Sequence, residues 1–380
     1  MSKGFHRILL AALVCAALSA LTLSAERGST HKSISQTSTI LLDNPPSDIS
    51  ASEEGDNLEL SSEKEKEKSE RKILREAKKR ERKARRAQRR SLEGEIQLSG
   101  SFALYPMVVK WASEFREIYP RVKVDISSGG AGKGITDALS SIVDMGMISR
   151  ELNEAEEEKG ALAIAVARDA VVATVNSRNP HIIEIKTRGL KPSVARKLWS
   201  IGSISSWGEI LGSSSTDAVH LYTRSDACGA SEKWASWLGV TAEELLGTAV
   251  YSDPGMASVT QRDKLSLAYS SIAYAYNIRN GKPHKGILIV PIDTDEDGIV
   301  DLDEEFYGTL SELNGAITSG KYPSRELYIV CKGIPSSPCV KAFIEYILTE
   351  GQDYASANGY VPLSDEEAEA ELRKCGLENF

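Results

Sequence analysis

From residue 95 onward the apolar positions alternate between two rhythms. Ile96 and Leu98 stand two apart, the spacing of a strand; Met107, Val108, Trp111 and Phe115 then recur at the spacing of one helix face. Val122, Val124 and Ile126 return to the strand period, and a second helical pattern leads toward Val143-Asp-Met-Gly-Met-Ile-Ser-Arg150. Each strand hands over to its helix through small residues, Ser99-Gly100-Ser101 and Ser127-Ser-Gly-Gly-Ala-Gly-Lys-Gly134. Strand, small-residue turn and helix, twice over, predict a doubly wound α/β layout. Both turns bring helix N–H groups to one place, which suits an anion.

The alternation continues. Residues 151–160 read as an acidic helix and 162–166 as a strand, and 168–176 is a further apolar run that suits a crossing between two lobes. Residues 189–212 read as helix and then loop, up to the block around Trp207. A third strand, 220–224, runs into Ser225-Asp-Ala-Cys-Gly-Ala-Ser231 and a helix over 232–238, this time with Arg224 before the turn. A guanidinium fixed beside helix N–H groups is a receptor for a tetrahedral oxyanion. The plainer reading makes Arg224 a structural ion pair with Asp226 or Asp253. Strands are expected at 267–277, 286–292 and 326–331, a helix at 338–348 and an acidic helix in the tail 364–380.

The segment before residue 95 has a different character. In residues 1–25, Lys3, His6 and Arg7 precede an apolar run, which reads as a signal peptide or, alternatively, an uncleaved N-terminal anchor. Either version puts the remainder outside the cytoplasm, on the periplasmic or extracellular side of the membrane. Residues 26–94 read as a linker, a disordered Ser/Thr/Asp/Glu-rich spacer followed by a charged helical stalk. Of the chain's 46 Lys/Arg and 54 Asp/Glu, residues 63–91 hold 15 and 6, which leaves 31 basic and 48 acidic residues elsewhere. The stalk is read as a solvated spacer; the sharper reading is a contact with anionic lipid or wall polymer through 63–91. Export argues against nucleic acid as a partner. The acidic balance elsewhere means that an anion site must work through local donors rather than overall field. Of five cysteines, Cys15 lies in the apolar run; Cys228, Cys331, Cys339 and Cys375 allow three pairings or none.

Six blocks stand in order: GSFALYP, SSGGAGKG, VDMGMISRE, the Trp207 block, RSDACGAS, and YPSRELYIV with FIEYILTEGQ and GYVPLS. Together, over about residues 95–364, they resemble the phosphate-binding proteins of bacterial and archaeal phosphate ABC importers, within the periplasmic-binding-protein superfamily. The resemblance implies a two-lobe α/β fold over 95–380, with lobe one formed by 95–173 plus 285–380, lobe two by 176–284, and the ligand between them. It implies capture of inorganic phosphate or a related oxyanion and delivery to ABC permease subunits. The contacts it implies fall on Ser101, Phe102, Ala131, Gly132, Ser149, Arg150, Arg224, Cys228, Gly229 and Ala230. The chain departs from the family's pattern at Phe102, Ala131, Ser149 and the Cys228-Gly229-Ala230 turn, where hydroxyls or an aspartate are usual. The missing aspartate is an acceptor that would favour a protonated phosphate over a fully ionised oxyanion. An alternative is a surface-tethered adhesion or sensor protein that reuses the fold without transport.

A second constellation lies at Asp293-Thr-Asp-Glu-Asp-Gly-Ile-Val-Asp-Leu-Asp-Glu304. Asp293, Asp295, Asp297, Asp301 and Glu304 occupy positions 1, 3, 5, 9 and 12 of a calcium loop, with Gly298 at position 6 and the carbonyl of Ile299 at position 7. A structural calcium ion is expected there, against the plainer reading of a solvated acidic turn; no other cofactor is called for. No enzyme is expected. The five histidines sit in no metal or nucleophile motif, GGAGKG lacks the spacing of a phosphate-binding P-loop, and a Cys228–His220 pair, eight residues apart across a strand and turn, carries no case for catalysis.

Overall fold

The computed structural model describes residues 91–377. The readings of a signal peptide, a spacer and most of the stalk fall outside the described residues. The first three strands form as the apolar rhythm predicts: β1 (Gly94–Gly100), β2 (Val122–Ser128) and β3 (Met145–Ile148) pair in parallel around a central β1. β4 (Ala161–Asp169) joins the same sheet through an intervening antiparallel strand, β12 (Arg325–Lys332), in the order β2-β1-β3-β12-β4. The helix Tyr105–Ile118 covers this sheet. Its Met107, Val108, Trp111 and Phe115 are all fully buried, and Phe115 meets Phe343 of the helix Pro338–Leu348 at 5.0 Å between ring centroids. Burying four such side chains contributes on the order of 6–12 kcal/mol before conformational entropy is set against it.

A second sheet begins one residue later. β4 ends at Asp169, Ala170 makes the crossing, and β5 (Val171–Asn176) opens the order β11-β5-β8-β6-β7. Here β6 is His220–Arg224, β7 Thr248–Val250, β8 Ser266–Ser271 and β11 Ile287–Ile289; the two-residue strands β9 (Tyr276–Asn277) and β10 (Lys282–Pro283) pair separately. β6 pairs in parallel with both β7 and β8. Trp199, Trp234 and Tyr269 fill this core, with Trp234 stacked on Tyr269 at 5.5 Å.

Two expectations need correcting. Residues 285–322 belong to lobe two, not lobe one. β11 pairs antiparallel with β5, Ile287 opposite Asn176, and the helix Leu310–Thr318 packs its Leu310, Leu313, Ala316 and Ile317 into the second core. The free edge of β5 takes the next apolar strand in reach, so the return crossing comes between Tyr322, whose hydroxyl donates to the Val171 carbonyl (2.8 Å), and Arg325. The stretch 267–277 is also not one strand. β8 stops at Ser271, and a single helical turn, Ile272–Ala275, follows. No helix among the described residues is long and apolar enough to cross a membrane.

Candidate functional site

Lobe one presents its two turns as a close-packed backbone platform. Gly100 has φ 134°, and a Cβ there would lie 2.2 Å from the Met147 carbonyl and 2.9 Å from the Gly134 Cα, so only glycine lets the helix Ala131–Leu139 sit this close to β1 and β3. The Gly100 carbonyl accepts from the amides of Gly129 (2.9 Å) and Gly130 (3.0 Å), while the Ser101 amide donates to Met147 (2.8 Å). Ser101, Ala131 and Ser149 are buried; Phe102 and Gly132 are partly exposed. Lys133 turns away from the turns to its own helix, onto Asp137, which also accepts from Ser99 (2.7 Å). Burial opposes these two partners, yet they hold the Asp137 carboxyl below its ordinary range.

Lobe two brings charge. Arg224 ends β6 with its side chain only 1% exposed. Its Nε and Nη2 fork onto Asp226 (2.9 and 2.6 Å) and its Nη1 donates to Asp253 (2.7 Å). Burial works against the charge, but Asp253 and then Asp226 hold the guanidinium protonated. The plainer sequence reading holds for the ion pair, which takes both named aspartates, and Arg224 precedes the turn that starts the helix Gly229–Leu238. Three of its five N–H groups are used, leaving one on each terminal nitrogen. Cys228 caps that helix in extended conformation with its thiol 3.3 Å from Ser231 Oγ. Burial pushes the thiol up, with Arg224 opposing, so it stays neutral. His220 is elsewhere, with Nδ1 2.7 Å from Asp263; the Cys228–His220 pair does not form.

The two platforms touch. A Cβ built on Gly229 would lie 1.9 Å from the Ser149 carbonyl oxygen, one on Gly130 3.4 Å from Asp226 Oδ2, and one on Gly132 3.9 Å from the Ala227 Cβ. Phe102 meets Tyr251 edge-on at 5.9 Å, and its carbonyl accepts from the Tyr274 hydroxyl (3.1 Å). All ten residues named from the sequence thus lie on the two facing platforms or their flanks, with Ala230 buried in the first turn of the helix behind Gly229. Arg150 differs in direction from the expectation. Its guanidinium forks onto Glu156 (2.8 and 2.6 Å) and reaches Glu232 of the other lobe through Nε at 3.3 Å, so two carboxylates compensate its charge. It flanks an open cavity of about 480 Å3 lined also by Ser149, Gly229, Glu232, Lys233 and Arg325.

Four residues at the crossings were not found from the sequence. Arg325 Nε and Nη2 fork onto Asp169 (2.6 and 3.0 Å), and Nη2 also donates to Ser271 Oγ (2.9 Å). The Ser271 amide donates to Asp253 Oδ1 (3.4 Å), so Asp169, Arg325, Ser271, Asp253, Arg224 and Asp226 form one buried chain of contacts from the crossing strands to the platform. Burial pushes the Asp169 carboxyl up against the opposing guanidinium; the fork geometry is that of an ion pair. Arg325 Nη1 is buried and has no hydrogen-bond partner among the described residues. Tyr274 completes the set; the expectation of a strand hid the turn that aims it at Phe102.

The acidic loop stands apart from these platforms, between β11 and the helix Leu310–Thr318. Asp293 is fully buried, Glu304 nearly so, and Asp295, Asp297, Ile299 and Asp301 are exposed. Cys228, Cys331, Cys339 and Cys375 are all buried free thiols; none of the three pairings occurs. Burial pushes Cys331 up to about 12 and Cys375 up to about 11, which keeps both as neutral thiols.

A family model for a PBP superfamily domain matches residues 82–350. The phosphate-binding protein PstS of Pseudomonas aeruginosa is 26% identical over 313 residues, covering 75% of this chain and 88% of that protein. PstS of Bacillus subtilis is 22% identical over 275 residues, covering 72% and 82%. Of the solved structures, a putative phosphate ABC transporter substrate-binding protein with bound phosphate from Clostridium perfringens superposes with a TM-score of 0.58 at 22% identity, covering 71% of this chain and 100% of that one. An ABC-type phosphate transport receptor from Vibrio cholerae gives a TM-score of 0.51 at 19% identity, covering 71% and 100%. At these identities the structural likeness speaks for the fold, and the site must speak for the ligand.

Proposed function

The chain belongs to the PBP superfamily, and from that premise we propose that it is an extracytoplasmic solute-binding protein that captures inorganic phosphate, or a closely similar oxyanion, between its lobes. The observation that carries this reading is Arg224, a guanidinium with its side chain 1% exposed, fixed at a helix start where two glycine-bearing platforms meet. The chemistry is binding without turnover. Arg224 offers its two remaining N–H groups, Gly229 and Ala230 offer helix-start amides, and Ser101, Ala131 and Gly132 line the opposite wall; Ser149 and Phe102 close the edge. The names of the relatives support phosphate as the first choice and delivery to ABC permease subunits as the consequence. No catalytic role is assigned to any of these residues.

Titration calorimetry with phosphate, followed by competition with sulfate, arsenate and molybdate, tests the reading. Saturable one-to-one binding of phosphate is expected. Because Ser149 replaces an acceptor aspartate, sulfate is expected to compete better than a site built around a proton acceptor would allow. A folded protein that binds none of the four anions overturns the reading and favours a tethered surface protein.

A further inference from the structure

We propose that the loop 293–304 binds one calcium ion, which clamps the segment between β11 and the helix Leu310–Thr318. The spacing of its oxygen ligands nominates the loop, but an acidic turn can carry such spacing without a metal. The structure adds a separate observation. Asp293, at the first position, is fully buried, and its Oδ1 has no hydrogen-bond partner among the described residues, while Oδ2 accepts from the Gly298 amide (2.8 Å). A buried carboxylate oxygen with no donor is costly, and a cation placed on it removes that cost. Carboxylate oxygens of Asp293, Asp295 and Asp297 lie within 4.8 Å of one another, which is the span across a calcium ion whose ligands stand at about 2.3–2.6 Å.

The rest of the loop is shaped to complete that sphere. Gly298 takes φ 93° at the sixth position, a backbone turn that side chains resist, and this leaves the Ile299 carbonyl as the seventh-position ligand. Glu304 folds back to the loop's beginning, accepting from the Thr294 amide through Oε1 (2.6 Å) and from the Asp301 amide through Oε2 (3.3 Å), which brings the twelfth position back to the start of the loop. Glu296, which has no ligand position, is turned outward onto Ser193 (2.6 and 2.7 Å). The loop is stitched to its own lobe from outside: Val300 donates to the Thr187 carbonyl (2.9 Å) and Asp293 to that of Leu190 (3.3 Å). Lys191 Nζ is 3.7 Å from Asp293 Oδ2 and donates to the Glu296 carbonyl (2.5 Å). One ammonium cannot balance seven acidic residues within 293–304. All proposed ligands are hard oxygens on a loop of irregular shape, which favours calcium over magnesium and over transition metals.

The test uses the full chain stripped with a chelator and titrated with calcium chloride by calorimetry, with melting followed in parallel. One site is expected, with a rise in Tm on the order of 5 °C at saturating calcium and a smaller rise with magnesium. Asp297→Asn, at an exposed position, should weaken calcium binding at least about tenfold and leave the calcium-free Tm nearly unchanged; Glu304→Gln should weaken it more. The proposal fails if the folded parent shows neither heat nor a Tm shift at about 10 mM calcium, well above the range of extracellular sites. It fails equally if calcium binds but both substitutions leave its affinity intact.

Discussion

The two platforms that meet at the candidate anion site are built in opposite ways. Lobe one contributes shape. Its turns are small residues whose amides are tied down, Ser101 to Met147 and both Gly129 and Gly130 to Gly100, and Arg150, just after β3, is turned to carboxylates. Lobe two contributes charge: Arg224 with Asp226 and Asp253, all in one buried network. Those three groups sum to a formal −1, so an anion is not drawn in by net positive charge. On the proposed reading it is held by the remaining N–H groups of Arg224 and by helix-start amides, against the close-packed turns of lobe one. On that reading, one lobe places the anion and the other binds it. That division of labour makes unequal predictions for the two sides.

The largest effect is expected from the charged side. Arg224→Ala removes the guanidinium and leaves the buried Asp253 and the partly buried Asp226 without their partner. Phosphate affinity should fall by roughly 2–5 kcal/mol, about thirtyfold to several thousandfold, with a drop in Tm alongside. Arg224→Lys keeps the charge but not the fork, and should still lose more than about tenfold. Calorimetry on both variants decides the matter. Parent-like affinity in Arg224→Ala would mean that the charge of lobe two serves structure alone.

An intermediate effect is expected where the platforms touch. A methyl group at Gly229 would stand 1.9 Å from a backbone oxygen of Ser149, which cannot swing aside as the end of a flexible side chain could. Gly229→Ala should therefore oppose closure by about 1–3 kcal/mol, read as weaker phosphate binding and a larger radius of gyration in X-ray scattering with phosphate present. Gly132→Ala is the control from the shape side. Its methyl would meet Ala227 Cβ at an ordinary 3.9 Å, and affinity should stay within about twofold. Equal losses in the two variants would break the idea that one tight contact sets the closed geometry.

The fold was legible because its signal is local and repeated: the change of apolar period around Trp111 and Phe115 needs no distant partner to be read. The acidic loop 293–304 stood out for the same reason, since its spaced carboxylates fall within twelve residues. Arg224 stood out because it ends a strand just before a helix start. What stayed hidden depends on pairing across the chain. Asp169 and Arg325 each sit at the end of an apolar strand and look like solvent-facing termini. Only the antiparallel register of β4 and β12, which sets them opposite one another, makes them a buried pair at the crossing. The lobe boundary was misplaced on the same ground: GILIVPI is plainly a strand, but its period does not say that β5, more than a hundred residues earlier, is its neighbour. Tyr274 was missed because one helical turn interrupts a stretch whose composition favours strand.

The smallest effect concerns Arg150, and here the two readings of one residue predict opposite signs. The sequence places it among the anion contacts. In the structure it forks onto Glu156 within its own lobe and reaches Glu232 across the cleft at 3.3 Å, with Glu232 itself 42% exposed on its side chain. A partly exposed ion pair of this kind contributes about 0.2–1 kcal/mol and is screened by salt. If Arg150 is an interlobe tie, Arg150→Gln and Glu232→Gln should each weaken phosphate binding by less than about fivefold, mostly through faster release, and the double variant should lose no more than either alone. The effect should shrink as ionic strength rises. It should also fade on acidification at a pH above the ordinary carboxylate range, because burial raises the Glu232 pKa despite the opposing Arg150, so this carboxyl protonates early and the tie loses its charge. If instead Arg150 contacts the anion, Arg150→Gln should cost more than about tenfold, and Glu232→Gln should strengthen binding by freeing the guanidinium and removing a competing negative charge. Release rates for the two single variants at low and high salt separate the cases, and a gain in Glu232→Gln would move Arg150 from the closing contact into the site itself.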